Sequence, residues 1–178
     1  MAKNDIDSEE VIIKMREELD FNEFKTQIIN TFNENRHIVL ATSANNRVSN
    51  RTVSFANDDL VIYIISWNHN LKINQIKENP KVALCLNNIQ IEGIAELINR
   101  PTDDKNNEIQ NIYLKKFSEK FVNTFFKIPE LITIKIVPTR IVKFENLHNR
   151  FFLQHMNFKN ESVHQMRNED RNNPEFPY

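Results

Sequence analysis

The stretch Arg51–Lys72, RTVSFANDDLVIYIISWNHNLK, decides how the rest of the chain is arranged. Its first residues alternate as in a strand. Ser49, Arg51, Val53 and Phe55 share one face; Val48, Asn50, Thr52 and Ser54 take the other, and the strand runs to Ala56. Asn57-Asp58-Asp59 is a polar turn. Leu60–Ile65 is apolar on both faces, the pattern of a strand covered twice. From Ser66 a short polar segment leads to Leu71–Glu78, LKINQIKE, where Leu71, Ile73 and Ile76 mark a helix. Asn79-Pro80 stops it, since a residue before proline avoids helical backbone. An arginine and a lysine thus flank the ends of two neighbouring strands beside a helix N-terminus. That combination suits a phosphate: guanidinium groups grip phosphate oxygens bidentately, and helix N-termini favour anions.

Upstream, Ser8 followed by Glu9 and Glu10 reads as a helix start, with Val11, Ile12, Met15 and Leu19 at helical spacing. Asp20 caps a second helix whose apolar face is Phe21, Phe24, Ile28, Ile29 and Phe32. His37–Ser43 is a short apolar strand, joined to the next through Ala44-Asn45-Asn46-Arg47. Downstream, Lys81–Leu86 and Ile89–Ile98 are strands joined at Asn87-Asn88. Gly93 interrupts the second of these, where a bulge or a close backbone approach is expected. Thr102 and Ser118 cap helices over 103–116 and 119–126. Leu131–Val137 and Arg140–Glu145 read as two further strands meeting at Pro138. With no βαβ repeat, the class is α+β, mainly β: six or seven antiparallel strands in a small barrel with flanking short helices. Residues 1–145 read as one domain. Residues 146–178 read as a partly ordered C-terminal extension, largely unstructured after Glu161.

The chain has 178 residues, a net charge of -1, one glycine, one cysteine and 27 asparagines. The charge balance argues against nucleic acid as a partner. Asparagine, which tolerates left-handed backbone, is expected to replace glycine in the turns. Cys85 lies in an apolar run, VALCL, and reads as a small core residue. The five histidines (37, 69, 148, 155, 164) form no metal-spaced pair, so no metal site is expected. No apolar run is long enough to span a membrane and no signal peptide is apparent, which points to the cytoplasm. One glycine excludes the common glycine-rich nucleotide and hydrolase motifs.

Taken together, these pieces resemble the pyridoxamine 5'-phosphate oxidase-like split barrel, a family of flavin-binding proteins. The motifs are a helix running into HIVLATS, a hairpin into NRTVS, an apolar strand ending in Ser66, and a lysine six residues on. After them come NQIKENPKVAL and IEGIAEL. The resemblance is clearest over residues 24–98, continues to about 145, and is nearest to the general-stress-protein branch. It implies flavin mononucleotide (FMN) bound at a homodimer interface. Arg51 and Lys72 would hold the phosphate. Thr52, Val53 and Ser54 would line the ring edge with backbone groups, with Ile65 and Ser66 closing the third strand beside it. The oxidases' Ser-Arg-Lys triplet corresponds to Asn70, Leu71 and Lys72, and their glutamine to Asn88. Their second-strand lysine is replaced by Ala56. Their C-terminal substrate-phosphate motif has no clear counterpart, Arg150 being the nearest residue. These departures weigh against pyridoxamine-phosphate oxidation itself.

The expected function is therefore an FMN-dependent oxidoreductase acting on a small molecule. Its alternatives are a flavin or haem binding or storage protein without turnover, and a cofactor-free degenerate split-barrel dimer. Related families use deazaflavin or haem. Trp67 and His69 lie next to the expected site. No residue is nominated as catalytic, because hydride transfer to a flavin needs no protein acid or base.

Overall fold

A computed structural model describes residues 17–98, 100–101, 107–147 and 150–167. Its first helix, α1 (Phe21–Glu34), begins where expected: Asp20 is extended and its Oδ1 accepts from the Glu23 amide at 2.7 Å. Phe24, Ile28 and Phe32 form its buried stripe. The hairpin β2 (His37–Ala44) to β3 (Arg47–Ser54) turns through Asn45 and Asn46, both at positive φ. That is the backbone of a type I′ turn, with asparagine in the usual place of glycine. Asp59 and Asn87 take left-handed backbone in the next two hairpins.

The strand expected to run on to Ala56 is broken. Phe55 leaves the ladder, donates its amide to the Arg36 carbonyl at 3.1 Å, and buries its ring edge-on against Phe32. A three-residue strand β4 (Ala56–Asp58) follows and pairs with β5 (Val61–Trp67). β5 is covered on both faces as its composition requires. Ile62 and Ile64 enter the main core; Tyr63 and Ile65 pack against a second cluster with Ile109, Ile112, Tyr113, Val122 and Phe126. Those residues come from α3 (Asn107–Leu114) and from α4 (Glu119–Phe125) with its C-cap residue Phe126; Ser118 caps the start of α4. The expected Thr102 cap lies outside the described residues.

Helix α2 (Leu71–Glu78) leads into β6 (Lys81–Leu86) and β7 (Ile89–Ile98). In β6, Val82, Leu84 and Leu86 point inward, so Ala83 and Cys85 point outward. Cys85 is exposed and not a core residue: period-2 geometry overrides the apolar look of VALCL. The two strands expected to meet at Pro138 are one, β8 (Leu131–Leu147). Pro138 stands opposite Gly93, where the β7–β8 register shifts. A proline is tolerated at such a bulge because it has no amide to donate. A Cβ on Gly93 would come within 2.8 Å of Ile136 Cγ2 and 2.9 Å of the Val137 carbonyl oxygen, which explains the one glycine kept.

The shift at Gly93 also divides the barrel. Before it, Leu131–Ile136 pair with β5; beyond it, Ile141–Leu147 pair with β9 (Arg150–Asn157). The sheet continues from β9 through β10 (Ser162–Arg167) to β1 (Glu17–Leu19). The segment after Glu161 is thus a strand as far as Arg167, because Met156 and Val163 are buried in the main core. Glu17–Leu19, expected at the end of a helix, is a strand because it pairs with Gln165–Val163. The rest of that expected helix lies outside the described residues. The architecture is the expected antiparallel split barrel, β2 to β8, with a β9–β10–β1 wing added.

Candidate functional site

Arg51 stands opposite Leu40 on the β2–β3 ladder, next to the Ser49–Thr42 pair. Leu40 and Thr42 are buried, so Arg51 shares the inner face of the sheet, at its polar end. Its Nη1 donates to Thr42 Oγ1 at 2.7 Å and to the Leu40 carbonyl at 3.3 Å; its Nη2 donates to Ser49 Oγ at 2.6 Å. All three acceptors are neutral. An arginine that meets no carboxylate keeps its charge available for an anion.

Lys72 lies in the first turn of α2 and within electrostatic reach of Arg51. Burial lowers its pKa below the ordinary lysine value, and the Arg51 charge lowers it further. Among the described residues no carboxylate pairs with either cation. Asn70 caps α2 by backbone only. Its side chain turns away and donates to Ser66 Oγ at 3.2 Å. Ser66 is buried and donates to the Trp67 carbonyl. The Ser66–Asn70 contact thus fixes the turn that delivers Lys72 and leaves the first amides of α2 without a side-chain cap. Two cations and a helix start therefore converge with no internal anion, which is the charge arrangement of an anion cradle.

The other expected residues divide. Val53 and Ser54 are half-buried and Thr52 is exposed on the outer face of β3. Among the described strands β3 pairs with β2 alone, so its other edge offers alternate backbone amides and carbonyls from Arg51 to Ser54. Ile65 turns toward the second cluster, and its amide donates to the Tyr113 hydroxyl at 3.1 Å. Leu71 is exposed on the helix start. Asn88 is not brought to the cluster within one chain. It sits on the β6–β7 turn, four residues beyond Leu84, the partner of Leu40, and donates to the Phe144 carbonyl at 2.5 Å. Ala56, where the oxidases carry lysine, is wholly buried under α3 and α4. Trp67 is exposed and stacks at a tilt on His69.

Three members of the cluster were missed from sequence: Thr42, Ser49 and Gln75. Gln75 is buried and accepts from both hydroxyls. Two patterns mark them. Thr42 continues the inward alternation of Ile38 and Leu40, and Gln75 follows Lys72 by three positions, on the same side of the helix.

Residues 24–145 match the family model of pyridoxamine 5'-phosphate oxidase. No curated protein matches the chain by sequence. Solved structures that share the fold include the following three. ChuZ of Campylobacter jejuni has a TM-score of 0.66 and 14% identity, over 90% of this chain and 68% of its own. A pyridoxamine 5'-phosphate oxidase-related, FMN-binding protein of Nostoc punctiforme has a TM-score of 0.54 and 19% identity, over 82% of this chain and 92% of its own. HutZ, a haem storage protein of Vibrio cholerae, has a TM-score of 0.54 and 12% identity, over 64% of this chain and 88% of its own. At these identities the likeness is one of fold, and the fold includes an FMN-binding and a haem-storing protein.

Proposed function

This chain belongs to the pyridoxamine 5'-phosphate oxidase family, and from that premise we propose that it binds FMN and serves as a flavin-dependent oxidoreductase for a small molecule. The observation that carries the reading is the pair Arg51 and Lys72. Burial and, after it, the Arg51 charge lower the lysine's pKa, and among the described residues neither cation meets a carboxylate. A phosphate dianion supplies the missing charge. Arg51 offers it a guanidinium already held by three neutral acceptors, Lys72 a point charge, and α2 its uncapped amides. The free edge of β3 supplies backbone donors and acceptors for a polar ring, and Ser66 with Asn70 keeps the turn in place. When bound, the flavin supplies the electron and hydride chemistry; the chain supplies binding, orientation and electrostatics.

Pyridoxamine-phosphate oxidation is not the reaction we assign. Leu71 and Ala56 stand where the oxidases carry cationic side chains, and Ala56 is buried beneath two helices. We further propose a homodimer with the cofactor at its interface. The outer sheet face supports this: it presents Ala83 and Cys85 together with Val48, Ile94 and Val137, all exposed.

The test is the spectrum of the purified protein, as isolated and after incubation with FMN. A flavin band supports the reading, and turnover of NAD(P)H with an electron acceptor then separates an enzyme from a carrier. A Soret band in its place reassigns the site to haem, and no uptake of FMN overturns the reading. The double variant Arg51→Ala/Lys72→Ala is expected to lose FMN while sedimenting as a dimer. Unchanged flavin content would show that the pocket lies elsewhere.

A further inference from the structure

Of the three buried residues of α2, Ile73 and Ile76 are apolar and Gln75 is not. A buried amide needs partners for both ends. Gln75 Nε2 donates to the Arg47 carbonyl at 3.0 Å, an acceptor only, which fixes which way round the amide lies. Its Oε1 then accepts from Thr42 Oγ1 at 2.7 Å and from Ser49 Oγ at 2.8 Å. A hydroxyl has one proton to donate. Both protons go to Gln75, so both oxygens are left as acceptors. Arg51 fills them, Nη1 on Thr42 and Nη2 on Ser49.

The polarity of the whole network therefore runs one way, from the Arg47 carbonyl through one amide and two hydroxyls to the guanidinium. Thr42 and Ser49 sit side by side on one oxygen, so they occupy the Nη1–Nη2 edge of Arg51. The Leu40 carbonyl takes a further Nη1 proton. Among the described residues, three of the five guanidinium protons find acceptors. The two that remain, on Nε and Nη2, form the edge that binds a phosphate bidentately.

We infer that Gln75 is a positioning residue for the proposed FMN phosphate: it selects the guanidinium edge that Arg51 presents. The inference rests on the flavin reading above for its ligand, but not for its geometry. It carries no charge to the site and acts only through Arg51.

Two measurements test it. The first needs no cofactor: the Arg51 Nη–H resonances, assigned by their loss in Arg51→Ala. In the native protein the Nη protons bonded to Thr42 and Ser49 are expected to exchange slowly with water. In Gln75→Met, of similar shape but without the acceptor, exchange is expected to quicken at least severalfold with the main-chain spectrum otherwise kept. The second is FMN affinity by flavin fluorescence in a double-mutant cycle. Gln75→Met is expected to weaken binding about tenfold, the scale of one charge-assisted hydrogen bond, and to change nothing further in the Arg51→Ala background. Ser49→Ala, at a half-buried surface position, is expected to show the same dependence on Arg51 with a smaller loss, and serves if Gln75→Met does not fold. Unchanged Arg51 exchange, or equal losses with and without Arg51, overturns the inference. If native protein takes up no FMN, the flavin reading fails alone, and the exchange measurement still decides the role of Gln75.

Discussion

Arg51 and Lys72 differ in how they carry charge, and the difference is measurable. The guanidinium stays protonated at any working pH. The Lys72 ammonium is held below the ordinary lysine value, first by burial and then by Arg51. The protonated form binds phosphate, so binding must raise the depressed pKa again. FMN affinity is expected to fall as pH rises through the lowered Lys72 value, because the free protein then has to take up a proton to bind. It is also expected to fall below about pH 6, where a phosphomonoester loses its second charge. Lys72→Arg is expected to flatten the alkaline limb and leave the acid limb in place, read by fluorescence titration across pH. An alkaline limb unchanged in Lys72→Arg would show that Lys72 is not the titrating group. Of these two cations, the placement on a strand and a helix start was legible in the spacing of the chain. The hydroxyls and amide that orient Arg51 were not: Thr42, Ser49 and Gln75 come from three elements, and only packing α2 across the β2–β3 hairpin brings them together.

The element that shapes the barrel is β8. Its first half closes the barrel against β5 and its second half opens into the wing through β9. The change of neighbour occurs at the bulge opposite Gly93. Gly93→Ala would place a methyl 2.9 Å from a backbone oxygen, which cannot move without shifting the bulge. Overpacking of this kind costs about 1–3 kcal/mol, so a drop in Tm of several degrees is expected by calorimetry. An unchanged Tm would mean that the bulge absorbs the methyl. Lys116 shows a second kind of joint. Its ammonium donates to the Phe32 carbonyl at the end of α1 and to Asn57 Oδ1, over the face of Phe55. One cation thus ties α1, β4 and the α3–α4 connection together. Nothing in its local sequence, LKKFS, distinguishes it from the exposed Lys115 beside it.

At the scale of the molecule the wing is part of the core. Met156 and Val163 are buried in the same cluster as Phe24, Ile28 and Ile141, and β1 seals the outer edge of β10. Ending the chain at Leu147 is expected to lower stability substantially. It would uncover that apolar surface and free the β8 edge. The truncated protein should melt well below the full chain and bind hydrophobic dye; equal melting curves would show the wing to be an appendage. No described helix is long and apolar enough to cross a membrane. The exposed face around Val48, Ile94 and Val137 is the surface that the proposed dimer would cover.

By itself the sequence determined the local features. Alternation marked the strands, Asp20 and Ser118 marked helix starts, and asparagine took the left-handed turn positions. Each of these rests on interactions within a few residues. The order of the motifs sufficed for the split barrel. Tertiary structure decided what depends on partners far along the chain. It broke β3 from β4 at Phe55, carried β8 through Pro138, exposed Cys85 and drew β10 onto the barrel. It also surrounded Arg51 with neutral acceptors from β2, β3 and α2. In Arg51–Lys72 the two cations can be read from sequence, but which edge of the guanidinium faces outward cannot. That edge is set by hydrogen bonds among residues that meet only once the barrel has closed.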